Sequence, residues 1–159
     1  MADDYYNQIA EGYVELHGSE QKNKIRIIRE NLDIRPEHTV LDLGCGPGLG
    51  WFAGKIIGLD PSIGLLRQAD IAKVLGIAEH LPFKDDSFTT VISLTAIQHF
   101  EDIDKALCEA KRVCKGQFAF SFQRKSPRAK EFSDKLREHL DVYLEIEEDK
   151  DLILIAKYK

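Results

Sequence analysis

The fold of this chain is decided by the stretch Val40-Leu41-Asp42-Leu43-Gly44-Cys45-Gly46-Pro47-Gly48, in which a short apolar run breaks into a glycine-spaced turn. The run carries one acidic residue, Asp42, two positions before the first glycine. Glycine tolerates positive φ and has no Cβ, so a turn of this kind lets the backbone approach a ligand closely. The stretch therefore predicts a buried strand that leads into a ligand-binding loop.

A second acidic residue narrows the choice of ligand. Asp60 follows the apolar run Lys55 to Leu59, and an acid at the end of the second strand of such a sheet suits the two hydroxyls of a ribose. The dinucleotide fingerprint G-x-G-x-x-G is not met, because its third glycine position is Leu49 here. We therefore expect a nucleoside-containing cofactor other than a dinucleotide, lying across the ends of two parallel strands.

Length and composition predict one globular domain. The chain has 159 residues, of which 43% are hydrophobic and 31% charged. Its net charge of −5 argues against binding RNA without a local basic patch or a partner. No apolar run is long enough to cross a membrane and the N-terminus lacks a secretory pattern, so we expect a cytoplasmic protein. Cysteines and histidines show no metal-ligand spacing, and no metal is expected.

The hydrophobic pattern predicts alternating strands and helices. An N-terminal helical segment covers residues 4–32, with Lys22, Lys24, Arg26 and Arg29 on its surface. A very short helix is expected around residues 49–53. The tail alternates over residues 142–147 and is continuously apolar over 152–156, which predicts a hairpin whose last strand lies inside the sheet. The remaining expected strands cover residues 39–43, 55–59, 71–75, 88–94 and 117–122, and the remaining helices 62–69, 102–115 and 127–140.

Two segments resemble a known family. The G-x-G-x-G spacing, with Asp42 before it and Asp60 after it, resembles motif I of the class I (Rossmann-like) S-adenosylmethionine-dependent methyltransferases. The segment G-I-A-E-H-L-P-F-K-D-D-S-F, residues 76–88, resembles the G-D-A-E-x-L-P-F-x-D-x-x-F segment of the methyltransferase type 11 group. The resemblance implies an α/β fold with a seven-stranded, mostly parallel sheet ordered 3-2-1-4-5-7-6, strand 7 antiparallel, and helices on both faces. It also implies a single domain, 1–159, with an N-terminal helical lid (1–35) before the core (36–159).

The same resemblance implies which residues contact S-adenosylmethionine. One departure concerns adenine, because Ile77 stands where the family has an aspartate that accepts a bond from the adenine amino group. On the substrate side we expect Gln98 and His99, together with Arg124 in a basic loop after the fifth strand. The alternative for this loop is that it is only the solvated start of a helix. No catalytic base is assigned. The expected cofactor contacts are Tyr13, Asp42, Gly44, Cys45, Gly46, Gly48, Asp60, Pro61, Ser62, Ala78, Glu79, Ser93, Leu94 and Thr95.

The short stretch of chain between Asp42 and Asp60 suggests a subgroup of this family. The abbreviated stretch around Trp51 is similar to that of the tRNA wobble-uridine methyltransferases, whose relatives need a small zinc-binding activator protein. Such an activator would pair with the third strand, Ile71 to Leu75; alternatively, Lys73 and a loop protect that edge. Three functions stay open: methylation of tRNA or rRNA with a partner subunit, methylation of a small molecule at oxygen or nitrogen, and non-catalytic cofactor binding.

Overall fold

The computed structural model describes residues 5, 7, 8, 13–48 and 54–159, with side chains described from residue 20 onward in the first helix. The helix predicted around residues 49–53 lies outside the described residues, and of the proposed lid, residues 1–35, the structure describes residues 5, 7, 8 and 13–35. None of the described helices combines the length and apolar character that crossing a bilayer requires. The elements, in chain order, are α1 (Tyr13–Asn31), β1 (Thr39–Leu43), β2 (Lys55–Asp60), α2 (Ile63–Leu66), β3 (Ala72–Leu75), β4 (Phe88–Leu94), a 3₁₀ turn (Ile97–His99), α3 (Ile103–Val113), β5 (Cys114–Gln123), α4 (Ala129–His139), β6 (Leu140–Glu148) and β7 (Asp151–Tyr158).

The sheet has seven strands in the order β3-β2-β1-β4-β5-β7-β6, as predicted. The first five strands pair in parallel, and β7 pairs antiparallel with both β5 and β6. The edge strand β6 alternates between buried and exposed side chains, whereas β7 is buried at nearly every position up to Ala156. This difference confirms the predicted hairpin, because only an interior strand is covered on both faces.

Helices cover both faces of the sheet. On one face, Ile25, Ile28 and Leu32 of α1 pack with side chains of β1, β4, β5 and β7. On the other face, α3 and α4 pack against a larger cluster of aromatic and aliphatic side chains. Asp102 caps α3 by accepting a hydrogen bond from the Lys105 amide at 3.0 Å, as its position before the helix predicted. The glycine-spaced loop after β1 therefore projects from a sheet that is packed on both faces.

Two sequence predictions about helices are wrong. The helix expected over residues 62–69 is α-helical only over Ile63–Leu66, and the chain continues to Ala69 in tighter turns, in which the Gln68 and Ala69 amides donate to the Leu65 and Leu66 carbonyls, both at 3.0 Å. Lys24 was expected on the surface of α1, but it is buried, with 3% of its surface exposed. It forms an ion pair with Asp151 at the start of β7, and this partner compensates its charge. An ion pair between residues so distant in sequence leaves no periodic signal.

Candidate active site

A cavity opens at the carboxyl ends of β1, β2 and β4. From β1 the chain adds β2 and β3 on one side of the sheet and then continues with β4 on the other side. Open α/β sheets bind ligands at such a switch point, between β1 and β4 here. The cavity has a volume of about 640 Å³ when the open space at its mouth is included. It is lined by Gly44, Gly46, Leu59, Asp60, Pro61, Leu65, Ile77, Ala78, Glu79, Leu94, Thr95, Ala96, His99 and Phe100.

The glycine loop forms one wall of this cavity and is held closely against its neighbours. Gly44 has a φ of +72°, and a Cβ at this position would come within 2.5 Å of the Ala96 Cβ. The amides of Gly44 and Cys45 both donate to the Leu59 carbonyl, at 2.7 and 3.1 Å. Glycine is therefore required at position 44 both by the backbone conformation and by the contact between the loops that follow β1 and β4.

Asp60 holds the opposite side of the loop. Its two carboxylate oxygens accept hydrogen bonds from the Gly46 amide at 2.9 Å and the Ser62 amide at 2.8 Å. The side chain is buried, with 7% exposed, and it lines the cavity. Each carboxylate oxygen can accept more than one hydrogen bond, so Asp60 keeps acceptor capacity for a ligand.

Asp42 lies deeper, within β1, and carries an unsatisfied oxygen. It is 2% exposed, and its Oδ2 atom has no hydrogen-bond partner among the described residues. Burial, and secondly the nearby charge of Asp60, raise the pKa of Asp42 well above its ordinary value. A buried acceptor of this kind is costly unless a donor satisfies it.

We expect Asp42→Asn to stabilise the ligand-free protein at neutral pH. Because the pKa of Asp42 is higher in the folded than in the unfolded state, its carboxyl destabilises the fold increasingly as pH rises above about 4. Removing the charge should raise the free energy of unfolding by about 1–3 kcal/mol at pH 7. Thermal unfolding between pH 3.5 and 8 measures this: the gain should shrink toward zero at the acidic end.

The matched control is Asp141→Asn, which neutralises an exposed carboxylate on β6 and should leave the unfolding midpoint almost unchanged. A gain from Asp42→Asn that stayed the same at every pH would contradict the assignment of a raised pKa.

The segment after β3 supplies an apolar wall and one anchored carboxylate. Ile77, which replaces the family's aspartate, is 44% exposed and lines the cavity beside the buried Ala78. Glu79 accepts from the Glu101 amide at 2.7 Å and the Asp102 amide at 3.2 Å. Glu79 therefore fixes the turn before α3, and its carboxylate is already engaged by these amides.

A second, polar cavity lies beyond Thr95, which lines both cavities. Thr95 has a positive φ of +51°, and its amide donates to the Ser121 carbonyl at 3.1 Å and the Ser121 hydroxyl at 2.9 Å. Its own hydroxyl accepts from Lys24 Nζ at 2.8 Å. Of the three predicted substrate-side residues, Gln98 lines this polar cavity, His99 lines the cavity at the ends of β1, β2 and β4, and Arg124 lines neither. Partial desolvation lowers the pKa of His99.

Several predicted site residues line neither cavity. Cys45 packs against β2, since a Cβ on Gly58 would lie 2.5 Å from its sulfur. The Ser62 hydroxyl caps α2 and donates to Asn7 at 2.7 Å, and the Ser93 hydroxyl donates to the Leu43 carbonyl at 3.0 Å. Tyr13 begins α1, but its side chain is outside the described residues. Gly48 and Arg124 face Ile71 and the β6–β7 turn respectively, and Asp42, buried within β1, also lines neither cavity.

The basic loop after β5 is largely neutralised by its own surroundings. Arg124 pairs with Glu147 and donates to the Asp149 carbonyl, while Arg128 pairs with Glu131. Conversely, the sequence analysis missed four apolar residues that line the cavity at the ends of β1, β2 and β4, namely Leu59, Leu65, Ala96 and Phe100. Their apolar character alone could not separate cavity walls from core.

The sequence matches a family model over residues 41–120, half of the chain, and that family is described as a methyltransferase domain. The chain belongs to this family. The match starts in β1 and ends in β5, so it includes the glycine loop, Asp60 and the segment after β3. The resemblance noted in the sequence to the class I S-adenosylmethionine-dependent methyltransferases is thereby confirmed.

Curated relatives of this methyltransferase domain are longer than the chain. Protein MJ1252 of Methanocaldococcus jannaschii is 35% identical over 131 residues, which are 75% of this chain and 49% of that protein. For the first three such relatives, the chain spans 30%, 49% and 39% of their length.

Solved structures share the fold across nearly the whole methyltransferase chain. The PH0226 protein of Pyrococcus horikoshii has a TM-score of 0.79 at 20% identity, covering 98% of this chain and 99% of that one. A putative methyltransferase in complex with the Haloferax volcanii Trm112 methyltransferase activator has a TM-score of 0.77 at 18% identity, covering 98% and 95%. At these identities the likeness shows the Rossmann-like methyltransferase fold.

Proposed function

We propose that this chain binds S-adenosylmethionine in the cavity at the carboxyl ends of β1, β2 and β4, called the cofactor cavity below, and transfers its methyl group to an acceptor. One observation carries the proposal: the buried Asp60 carboxylate, which accepts from the Gly46 amide at 2.9 Å, lines a cavity of the methyltransferase fold together with Gly44 and Gly46. Calorimetry with S-adenosylmethionine and S-adenosylhomocysteine tests it directly. Absence of binding by both compounds would overturn the proposal.

The residues present fit the chemical groups of this cofactor. Asp60 offers carboxylate oxygens to the ribose hydroxyls, as an acid at the end of a second strand does. Apolar side chains of Leu65, Ile77 and Ala78 suit the faces of the adenine ring. The unsatisfied Oδ2 of Asp42 lies beneath the glycine loop, and a cationic amino group is the donor that it best accommodates. The glycine backbone leaves room for the amino-acid part of the molecule.

The chemistry requires little from the side chains beyond alignment. When bound, the cofactor supplies an electrophilic methyl group: the acceptor's lone pair bonds to the methyl carbon while the carbon–sulfur bond breaks and leaves its electron pair on sulfur. The protein orients the acceptor in line with that bond and excludes water, which together account for much of the rate. An acceptor that carries a proton releases it afterwards. His99, whose lowered pKa keeps its ring neutral at pH 7, lines the cavity and is the candidate to receive it.

A partner protein that pairs with β3 is the second part of the proposal. β3 is an edge strand of four residues. Three apolar side chains in or near this strand are exposed: Leu75 at its end by 56%, and Ile77 and Ile63 by 44% each. Exposed apolar side chains along an unpaired strand edge suit strand addition by a second protein. The structural similarity to a methyltransferase that binds the Trm112 activator supports this arrangement. RNA is the acceptor that we associate with such a complex.

We expect Leu75→Glu to prevent co-purification of the chain with a co-expressed activator of the Trm112 kind. The new carboxylate would lie on the face of the sheet beside the added strand and would have to be desolvated by the partner's side chains. The matched control is Tyr143→Glu, which changes a side chain that is 48% exposed on β6, the opposite edge of the sheet. Equal loss of the complex for both variants would contradict pairing at β3.

A small-molecule acceptor is the alternative, and the polar cavity favours it. This cavity is lined mainly by polar and charged side chains and lies beside the first cavity, with which it shares Thr95. Incubation with labelled S-adenosylmethionine, first with total RNA and then with an RNA-free metabolite extract, separates the two acceptor classes. Label in neither fraction, despite tight cofactor binding, would favour a non-catalytic binding domain.

A further inference from the structure

We infer that Lys24 is a positioning residue for the cofactor site: its buried ammonium group holds Thr95 in the conformation that gives the cofactor cavity its wall. The inference rests on the proposed methyl transfer, because it assigns to Lys24 a part in binding the cofactor. Among the residues that the structure describes, Thr95 lines the cofactor cavity and Lys24 does not. Lys24 therefore acts on the cofactor through Thr95.

Thr95 has a backbone conformation that its residue type rarely adopts. Its φ of +51° lies in the left-handed region, where the Cβ of a β-branched residue crowds the backbone. Such a conformation persists only where surrounding contacts impose it, and it is found mainly at functional sites. The contacts that hold Thr95 are therefore part of what shapes the cavity wall.

Three residues from different parts of the chain hold Thr95. Ser121 accepts from the Thr95 amide through its carbonyl at 3.1 Å and its hydroxyl at 2.9 Å. Gln98 Nε2 donates to the Thr95 carbonyl at 2.7 Å, so the backbone is fixed on both sides of the residue. Lys24 Nζ donates to the Thr95 hydroxyl at 2.8 Å and thereby fixes the side chain.

The Lys24 ammonium group is itself held by the turn between β6 and β7. It pairs with Asp151 in the protein interior, and a buried charge cannot leave such a partner without a large cost. Asn23, the preceding residue of α1, donates to Glu148 on the other side of the same turn. This turn and α1 thus give the ammonium group one defined position beside Thr95.

The cavity wall formed by Thr95 is packed tightly against the glycine-spaced loop. Ala96, the next residue, also lines the cofactor cavity, and a Cβ on Gly44 would lie 2.5 Å from the Ala96 Cβ. Because no free space separates the two loops, a change in the Thr95 backbone moves Ala96 relative to Gly44. The loss of Lys24 should therefore reach the loop that the cofactor meets.

A double-mutant cycle in cofactor affinity tests this inference. The paired substitution Lys24→Met with Asp151→Asn removes the ammonium group and leaves no buried charge behind, so the fold is retained. We expect it to weaken S-adenosylhomocysteine binding by about tenfold, measured by calorimetry well below the unfolding midpoint. In the Thr95→Gly background, where the left-handed conformation has no steric cost, the same paired substitution should change the affinity by less than about twofold.

The carbon chemical shifts of Thr95 report its backbone conformation directly, without any ligand. In the paired variant they should move away from the values of the left-handed region. The matched control is Arg26→Met, which removes a cation from the exposed Arg26–Glu30 pair on the same helix and should leave both the shifts and the affinity unchanged. Equal weakening in the Thr95 and Gly backgrounds, or unchanged Thr95 shifts in the paired variant, would overturn the inference and leave Lys24 a role in stability alone.

Failure of the proposed function gives a different result. If the unmodified chain does not bind S-adenosylhomocysteine, the methyltransferase proposal is overturned. The Thr95 shifts are measured on the ligand-free protein, so they still decide whether Lys24 holds the left-handed conformation.

Discussion

Asp60→Ala is expected to weaken S-adenosylmethionine binding at least about 100-fold. A carboxylate that accepts bonds from two ribose hydroxyls contributes about 1.5–3 kcal/mol per bond, and 3 kcal/mol corresponds to roughly two orders of magnitude in Kd. The same carboxylate holds the Gly46 and Ser62 amides at 2.9 and 2.8 Å, so the loop that faces the cofactor also loses its anchor. Calorimetric titration of the purified variant measures the change.

Asparagine at position 60 is not a neutral replacement. One of its side-chain atoms is an NH₂ group, which would face an amide that now donates to the carboxylate. Asp60→Asn should therefore lose affinity too, although less than the alanine variant. The control is Asp70→Asn, which changes an exposed carboxylate ahead of β3 and should preserve the affinity. Unchanged binding in Asp60→Ala would refute the role of Asp60 toward the ribose.

Lys24→Met is expected to lower the free energy of unfolding by about 3–5 kcal/mol. The substitution leaves Asp151, which is 5% exposed, as a buried carboxylate without its cation. For a chain of this length the midpoint of thermal unfolding should fall by on the order of 10 °C. The Thr95 hydroxyl also loses its donor, so the variant should bind the cofactor less tightly as well. Thermal and urea unfolding measure the stability change.

A second substitution should reverse most of this loss. In the double variant Lys24→Met with Asp151→Asn, no uncompensated charge remains, and the free energy of unfolding should recover toward that of the parent. Lys130→Met is the control, because Lys130 pairs with Asp134 on the exposed face of α4 and should cost less than about 0.5 kcal/mol. Similar losses for Lys24→Met and Lys130→Met would show that burial of the first pair has no special effect.

The sequence predicted the sheet well because its signals are local. The alternating pattern before Glu148 and the apolar run after Asp151 gave β6 and β7 in the right places, and the order of all seven strands is confirmed. Bounds were least accurate at α2, where the hydrophobic pattern continued past Leu66 although the chain already turns toward β3. Apolar periodicity reports which face is covered and carries less information about where an element stops.

Whether a site residue was predicted correctly depended on the kind of contact that it makes. Glycine spacing and strand-end acids predicted residues that line the cavity, namely Gly44, Gly46 and Asp60, because the close approach of Gly44 to Ala96 restricts residue type. The hydroxyls of Ser62 and Ser93 face a helix cap and a neighbouring strand, which short motifs do not specify. Lys24 was misjudged because its partner Asp151 is near the other end of the chain, and only the fold brings the two together.

Thr95 has one further consequence, because the same residue forms part of two cavities. A ligand that shifts Thr95 from one side alters the surface that a second ligand meets on the other. Thermodynamic linkage makes any such effect reciprocal: if the cofactor tightens acceptor binding by some factor, the acceptor tightens cofactor binding by the same factor. The order in which the two molecules associate is then set by their relative concentrations, and product that lingers in either cavity slows exchange in its neighbour.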